Sequence, residues 1–183
     1  MFIIETYISK NGYDAIDKKQ LLVNEDFIPI HHLHAKKLAN QQLIHTKGTT
    51  FYGTVLIAYQ HQFLSSFYDW DDVDGIWLSI LQAMTDCLCT GFGSSGFSER
   101  SMNWEMKKLM KKNPTVLFTW DHGFASQEWN DVPSKSIVSF PEKVLLNHII
   151  EKGTEYLTFR EALYDSGPIQ NINQLVNNLK SFK

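Results

Sequence analysis

The sequence lacks the features that mark secreted and membrane-spanning proteins. Only two of its 183 residues are cysteines. Cys87 and Cys89 lie two apart on a predicted helix, where their side chains point about 200° apart and do not easily form a disulfide. The first ten residues, MFIIETYISK, lack the positive charge and the long apolar run of a signal peptide. No stretch approaches the roughly 18 consecutive apolar residues of a membrane span. We therefore expect a cytoplasmic protein with reduced thiols that does not enter a membrane.

Basic residues are not in excess. The formal net charge is -3, and the isoelectric point is near 6.1. A general nucleic-acid binder would usually present a basic face, so we expect no nucleic-acid partner. The chain is long enough to bury a core without disulfides or a metal, and we expect one domain spanning residues 1–183.

The order of hydrophobic patterns predicts an α+β fold. We expect one antiparallel or mixed sheet with amphipathic helices packed mainly on one face. Alternation or β-rich composition predicts strands, and a 3.6-residue apolar period predicts helices. The main strands are predicted at residues 2–8, 51–59, 63–68, 101–109, 115–120 and 136–140, with short ones at 21–23 and 43–46. The apolar residues of 101–109 also fit a helical spacing, and we prefer the strand. The helices are predicted at residues 35–42, at 69–91, from Pro141 and from Asn171, with a glycine-serine loop at 91–96.

The helix at residues 69–91 is the clearest element. Its apolar residues recur at three- and four-residue spacing, which gives one face wide enough to pack on a sheet. Asp71 or Asp72 suits the N-cap, and Gly91 suits a left-handed stop. The apolar face consists of Val73, Ile76, Trp77, Ile80, Leu81, Met84, Cys87 and Leu88.

The start of this helix has the densest charge in the sequence. Asp69, Asp71, Asp72 and Asp74 surround Trp70. One interpretation is helix capping beside a solvated turn. The other is an acidic patch with a tryptophan anchor that binds a basic protein partner, since charge of one sign speeds association. We take Asp69, Trp70, Asp71, Asp72 and Asp74 as the candidate partner-binding residues.

A glycine motif at residues 91–96 matches G-x-G-x-x-G. The dinucleotide fingerprint requires a strand before the motif and a helix after it. Here the preceding segment is an amphipathic helix, so we interpret the motif as a helix stop followed by a loop. We predict no cofactor.

Histidines suggest a second class of function. His31, His32 and His34 invite a metal interpretation, but no cysteine pair or H-E-x-x-H motif accompanies them. Asp121 and His122 with any serine would make a triad fragment, although adjacent residues point in different directions and no G-x-S-x-G elbow exists. We predict no metal ligands and no catalytic residues. A small metal- or ligand-dependent enzyme, or a ligand-binding protein, that uses the His31–His34 and Asp121-His122 regions stays the alternative.

The middle of the chain resembles a known class of proteins. Trp70, Asp71, Asp72, Val73, Asp74, Ile76 and Trp77 form a "WDDVDxLW"-like helix start after a strand pair. With the strands around Trp104 and Leu117 and the helix from Pro141, residues of about 50–160 resemble small cytosolic bacterial immunity proteins of polymorphic or contact-dependent inhibition toxin systems. The resemblance implies a non-enzymatic protein that binds and neutralises a cognate toxin domain. Complementary charge would then give that toxin a basic surface.

Overall fold

A computed structural model gives the fold of most of the chain. It describes residues 1–11, 24–48, 50–96, 102–109, 113–123, 126–127, 132–164 and 167–183. The possible strand at residues 21–23 lies outside the described residues.

The first sheet is built around the strand at residues 52–59. β3 (Tyr52–Tyr59) pairs antiparallel with β1 (Phe2–Ser9), and β1 pairs with the edge strand β2 (Phe27–Pro29). On its other side β3 pairs with two short strands, β4 (Gln62–Phe63) and β5 (Asp71–Asp72). Pro29, which has no N–H for a ladder bond, lies on this edge strand, where the sheet tolerates a proline.

The second sheet is a four-stranded antiparallel meander. Its strands are β6 (Phe92–Gly96), β7 (Asn103–Leu109), β8 (Thr115–Asp121) and β9 (Lys135–Pro141). Burial alternates along β7 and β8, so one face of this sheet packs on the core and the other does not. The inner face consists of Trp104, Met106, Val116, Phe118, Trp120, Val138 and Phe140.

Four α-helices whose bounds lie within the described residues pack with the two sheets. They are α1 (Ala35–His45), α2 (Val73–Thr90), α3 (Glu142–Glu161) and α4 (Ile169–Lys180), and a 3₁₀ turn covers Asn24–Asp26. α2 contacts both sheets as well as α3 and α4. Trp77 of α2 stacks on Tyr156 of α3 with 5.6 Å between ring centroids. Among the described residues, no helix combines the length and apolar character needed to cross a membrane.

The α+β prediction is confirmed, and the strands divide between two sheets rather than one. The strands predicted at residues 101–109, 115–120 and 136–140 are confirmed as β7, β8 and β9. The apolar face predicted for residues 69–91 is confirmed in α2, although this helix begins at Val73. Asp72 is its N-cap, and Gly91 is its left-handed C-cap at φ 87°.

Three local predictions are wrong. Residues 43–46 continue helix α1 to His45 instead of forming a strand, because Leu43 is buried on the helix beside Ala39. Residues 64–70 form a loop after the two-residue strand β4. The glycine-serine segment predicted as a loop is strand β6, because its backbone pairs with β7 along its whole length.

Candidate functional site

The acidic segment before α2 lies inside the protein. Asp69, Trp70, Asp71 and Asp74 are exposed by 0, 2, 1 and 2% of their surfaces, and only Asp72 is partly exposed. The five residues therefore do not form the exposed acidic patch that the sequence suggested. Partner binding by these residues stays a prediction. Direct contact with a partner would require the buried side chains, which point inward, to turn outward.

Asp71 and Asp72 shape the start of the helix. Asp71 pairs β5 with β3, and its Oδ1 accepts the backbone N–H of Asp72 at 2.7 Å. The Asp72 Oδ2 accepts the N–H of Gly75 at 3.2 Å, which is the capping role expected from the sequence. Burial raises the pKa of Asp72 from 3.8 to about 7, and the neighbouring carboxylate of Asp74 adds to the shift.

Asp74 joins α2 to α3 through a buried ion pair. The Arg160 Nε donates to Asp74 Oδ2 at 3.0 Å, and the Tyr156 hydroxyl donates to Asp74 Oδ1 at 2.6 Å. Arg160 is fully buried, and its guanidinium lies 5.4 Å from the centroid of the Phe51 ring. Burial, followed by the Asp74 charge, raises the pKa of Tyr156 well above its ordinary value. The Tyr156 hydroxyl therefore stays protonated and donates its hydrogen bond.

Asp69 joins the loop before α2 to the second sheet. Its Oδ1 lies 2.7 Å from His122 Nδ1, and its Oδ2 accepts the Ser66 backbone N–H at 2.7 Å and the Ser66 hydroxyl at 3.0 Å. The other ring nitrogen, His122 Nε2, lies 2.8 Å from Ser136 Oγ. Asp69, His122 and Ser136 thus form one hydrogen-bonded chain from three separate segments.

Asp121 and His122 point to opposite faces of the second sheet. His122 faces inward and is 2% exposed, whereas Asp121 faces outward and lies 3.5 Å from the Lys135 ammonium. The two residues therefore do not act together, as the sequence indicated for adjacent positions. The carboxylate partner of His122 is Asp69, which the sequence analysis had assigned to a different role.

The histidines before α1 lie at the surface. The rings of His32 and His34 are 5.3 Å apart, and both residues are exposed. They line an open cavity of about 560 Å³ together with Lys10 and Lys37. Within the described part of the chain, no group of three or more His, Cys, Asp or Glu side chains is placed to hold a metal ion. His31, His32 and His34 therefore lie at the surface in the loop before α1.

The glycine motif has a structural explanation. Gly91 ends α2 in a left-handed conformation. A Cβ atom on Gly93 would lie 1.9 Å from the carbonyl oxygen of Ala83, so β6 packs directly on the backbone of α2. The motif follows a helix and opens a strand, which is the reverse of the dinucleotide-binding arrangement.

The second sheet leaves its other face uncovered by the elements that the structure describes. Side chains there are exposed or partly exposed, and Phe92 and Ile137 are 47 and 57% exposed. Helices α2 and α3 lie against the opposite, inner side. We call this surface the outer face, and it consists of Phe92, Ser94, Glu105, Lys107, Leu117, Thr119, Ile137 and Ser139.

Comparisons with protein-family models, with curated proteins and with solved structures give no match. The functional interpretation therefore depends on the geometry of the chain itself. Two features support a functional interpretation: the outer face and the hydrogen-bonded chain of Asp69, His122 and Ser136. Neither Ser136 nor the outer face is predicted from the sequence. The alternation along β9 marks Ser136 as inward-facing, but only the register with β8 brings it beside His122.

Proposed function

We propose that the chain is an immunity-type protein that neutralises a toxin domain by binding it, and that it binds through the outer face. The observation that supports this surface is the exposure of Phe92 and Ile137 on a sheet face that no described element covers. Apolar side chains on an uncovered sheet face can serve as anchors within an otherwise polar protein interface. The resemblance of the segment around Trp70 to immunity proteins supports the class of partner.

The size of the outer face limits what it can do alone. Four strands spaced about 4.8 Å apart, three of seven residues and one of five, give a face of roughly 410 Å². A stable interface buries about 800 Å² on each partner. The loops and strand ends beside the sheet must therefore supply nearly half of the contact area. Phe92 and Ile137 lie on the two edge strands, about 15 Å apart across the sheet, so they would anchor opposite sides of one partner.

The charge of the outer face does not select a basic partner. Glu105 and Lys107 have opposite signs, and at one end Lys135 lies 3.5 Å from Asp121. Because both signs are present, we expect the partner to match the alternation of charge rather than an overall negative field. The basic toxin surface inferred from the acidic segment stays a prediction that the outer face does not support.

Binding is tested with the product of the adjacent upstream gene, as a purified protein, by isothermal titration calorimetry. We expect a one-to-one complex with the wild-type chain. In the double variant Phe92→Thr and Ile137→Thr, threonine keeps the strand propensity and removes both apolar anchors. We expect this variant to bind at least tenfold more weakly, since truncating a buried interface anchor costs more than about 1.4 kcal/mol.

The matched control is Tyr164→Thr. Tyr164 is 84% exposed and lies outside the outer face, after α3, so its replacement should leave the affinity unchanged. Unchanged binding by the double variant would remove the outer face from the proposal. If the neighbouring gene product neither binds nor acts as a toxin, the proposed function is wrong. Self-association of the chain that is abolished by the double variant would identify a second copy as the occupant and also contradict the proposal.

An enzyme is the competing function, and one specific arrangement favours it. His122 lies between a fully buried carboxylate and a partly exposed serine hydroxyl. The exposed histidines at residues 31–34 belong to a different surface, so the structure does not unite the two regions that the alternative hypothesis named.

A further inference from the structure

We propose that Ser136 is a nucleophile activated by His122 and Asp69, in a site that takes small carboxylic esters. This inference goes beyond partner binding and contradicts the expectation that the chain has no catalytic residues. It depends on different residues from the outer face, so either proposal can fail while the other holds.

The register of the second sheet brings the serine and the histidine together. Trp120 of β8 pairs with Ser136 of β9, and the next pair is Asp121 with Lys135. The backbone N–H of His122 then donates to the Ser134 carbonyl at 3.1 Å. His122 therefore leaves the end of β8 on the inner side of the sheet, where its Nε2 reaches Ser136 Oγ at 2.8 Å. That distance is within the range for transfer of the serine proton to a general base.

The tautomer of His122 follows from the contacts of Asp69. A backbone N–H can only donate, so the Ser66 N–H fixes Oδ2 of Asp69 as an acceptor. The remaining oxygen, Oδ1, faces His122 Nδ1 at 2.7 Å and accepts its proton. Nε2 then has a free lone pair directed at Ser136. This is the assignment that a serine-activating histidine needs, and Asp69 is the positioning residue that imposes it.

Exposure increases from the carboxylate to the nucleophile. Asp69 is fully buried and His122 is 2% exposed, while Ser136 is partly exposed. Ser136 is therefore the most exposed member of this hydrogen-bonded chain, and a substrate would meet the serine before the acid or the base. Because Ser136 lies on the inner side of the sheet and is only partly exposed, we take a small ester rather than a polymer as the substrate class.

The reaction has two balanced steps. Ser136 Oγ forms a bond to the ester carbonyl carbon, its proton passes to His122 Nε2, and the carbonyl π electrons move onto oxygen. When that electron pair returns, the bond to the alcohol oxygen breaks, and the alcohol leaves with the proton from Nε2. Water then attacks the acyl-serine in the same way, which releases the carboxylic acid and restores the serine hydroxyl.

The experiment uses the full chain and a fluorophosphonate probe, with the labelled residue located by peptide mass spectrometry. We expect one labelled serine, Ser136, and complete loss of labelling in Ser136→Ala. The matched control is Ser139→Ala, which removes an exposed serine of the same strand on the opposite face and should label like the wild type. Hydrolysis of p-nitrophenyl acetate should be lost in Ser136→Ala and kept in Ser139→Ala. Absence of labelling, or labelling of another serine, would overturn the proposal.

Asp69→Asn separates a positioning role from a structural one. The Ser66 N–H would keep the amide oxygen of asparagine at the Oδ2 position, so the amide NH₂ would face His122 Nδ1. The imidazole would then carry its proton on Nε2 and could no longer accept one from Ser136. We expect labelling to slow at least 100-fold while the far-ultraviolet circular dichroism stays that of the wild type. A folded variant labelled at the wild-type rate would overturn the proposal.

The wild-type chain supplies a second measurement in case the asparagine variant does not fold. If His122 is the base, the labelling rate must rise with pH as one group loses its proton and then reach a plateau. A rate that does not depend on pH would show that no base assists the serine. In that case Asp69, His122 and Ser136 are only a structural link between the loop and the sheet.

Discussion

Replacing Arg160 with methionine should lower the free energy of unfolding by about 3–5 kcal/mol, because the change leaves a buried carboxylate without its cation. Asp74 is 2% exposed, and its Oδ2 accepts the Arg160 Nε at 3.0 Å. The methionine keeps much of the apolar stem that packs near Phe51, so the loss reports mainly on charge. Asp74→Asn should cost a similar amount, since it removes the negative charge to which the fully buried guanidinium donates.

The double variant measures the interaction energy between the two charges. If the two charges act only on each other, removing both should cost much less than the roughly 6–10 kcal/mol sum of the single losses. We expect the double variant to lose at least about 2 kcal/mol less stability than that sum, because neither charge is then buried alone. The remaining cost reflects the Tyr156 hydroxyl, which would donate to an amide rather than to a carboxylate, and the lost favourable charge in the first turn of α2.

Urea unfolding at pH 7, followed by circular dichroism and fluorescence, measures all four proteins of the cycle. The dependence of the free energy on urea concentration must be the same in each, so that the midpoints can be compared. Single losses below about 1 kcal/mol would show that the pair is solvated rather than buried. Losses that add within about 0.5 kcal/mol would show that Asp74 and Arg160 do not interact.

Two further predictions concern the ends of α2. Asp72 has a pKa of about 7 in the folded protein against 3.8 ordinarily, so the folded state holds this proton more tightly, and the group destabilises the fold increasingly as pH rises through that interval. The Asp72→Asn variant keeps the helix cap and should be more stable than the wild type above pH 7 but not below pH 4. Thermal unfolding of both proteins across this pH range measures the difference. A variant that is more stable only below pH 4 would contradict the assignment. At the other end, Gly93→Ala should lower stability by about 3 kcal/mol, because its Cβ would meet the Ala83 carbonyl. Gly91 has open space around its Cβ position but a positive φ, so Gly91→Ala should lower stability by only about 1 kcal/mol. Equal urea midpoints for the Gly93→Ala and Gly91→Ala variants would refute the close packing of β6 on α2.

Local patterns predicted the elements whose signals lie within a few residues. α2 has its apolar face, its N-cap Asp72 and its C-cap Gly91 in one continuous segment, so spacing and capping chemistry identify it. β8 and β9 show alternation or β-branched and aromatic residues over their own length. β6 was missed because glycine and serine favour loops in isolation. Its strand conformation comes from pairing with β7 and from the close approach of Gly93 to α2, and neither is visible locally.

The direction of the acidic side chains was not predictable from the sequence. Charge density near a helix start is typical of a solvated turn, and nothing within the segment indicates burial. The buried Asp69 carboxylate is paired with His122, which lies 53 positions away in the sequence. The buried Asp74 carboxylate is likewise paired with Arg160, which lies 86 positions away in the sequence. A buried carboxylate needs such partners, and their identity depends on the tertiary structure.

The placement of Ser136 and Ile137 allows the two proposals to be separated. They are neighbours on β9, but Ser136 faces His122 on the inner side, while Ile137 is 57% exposed on the outer face. A strand turns successive side chains to opposite faces, so a change at one position does not alter the surface that the other presents. Ser136→Ala should therefore abolish labelling and leave toxin binding intact, and Ile137→Thr with Phe92→Thr should do the reverse. If Ser136→Ala also weakens toxin binding, the partner contacts the end of β9 near His122, and the outer face is not the whole interface.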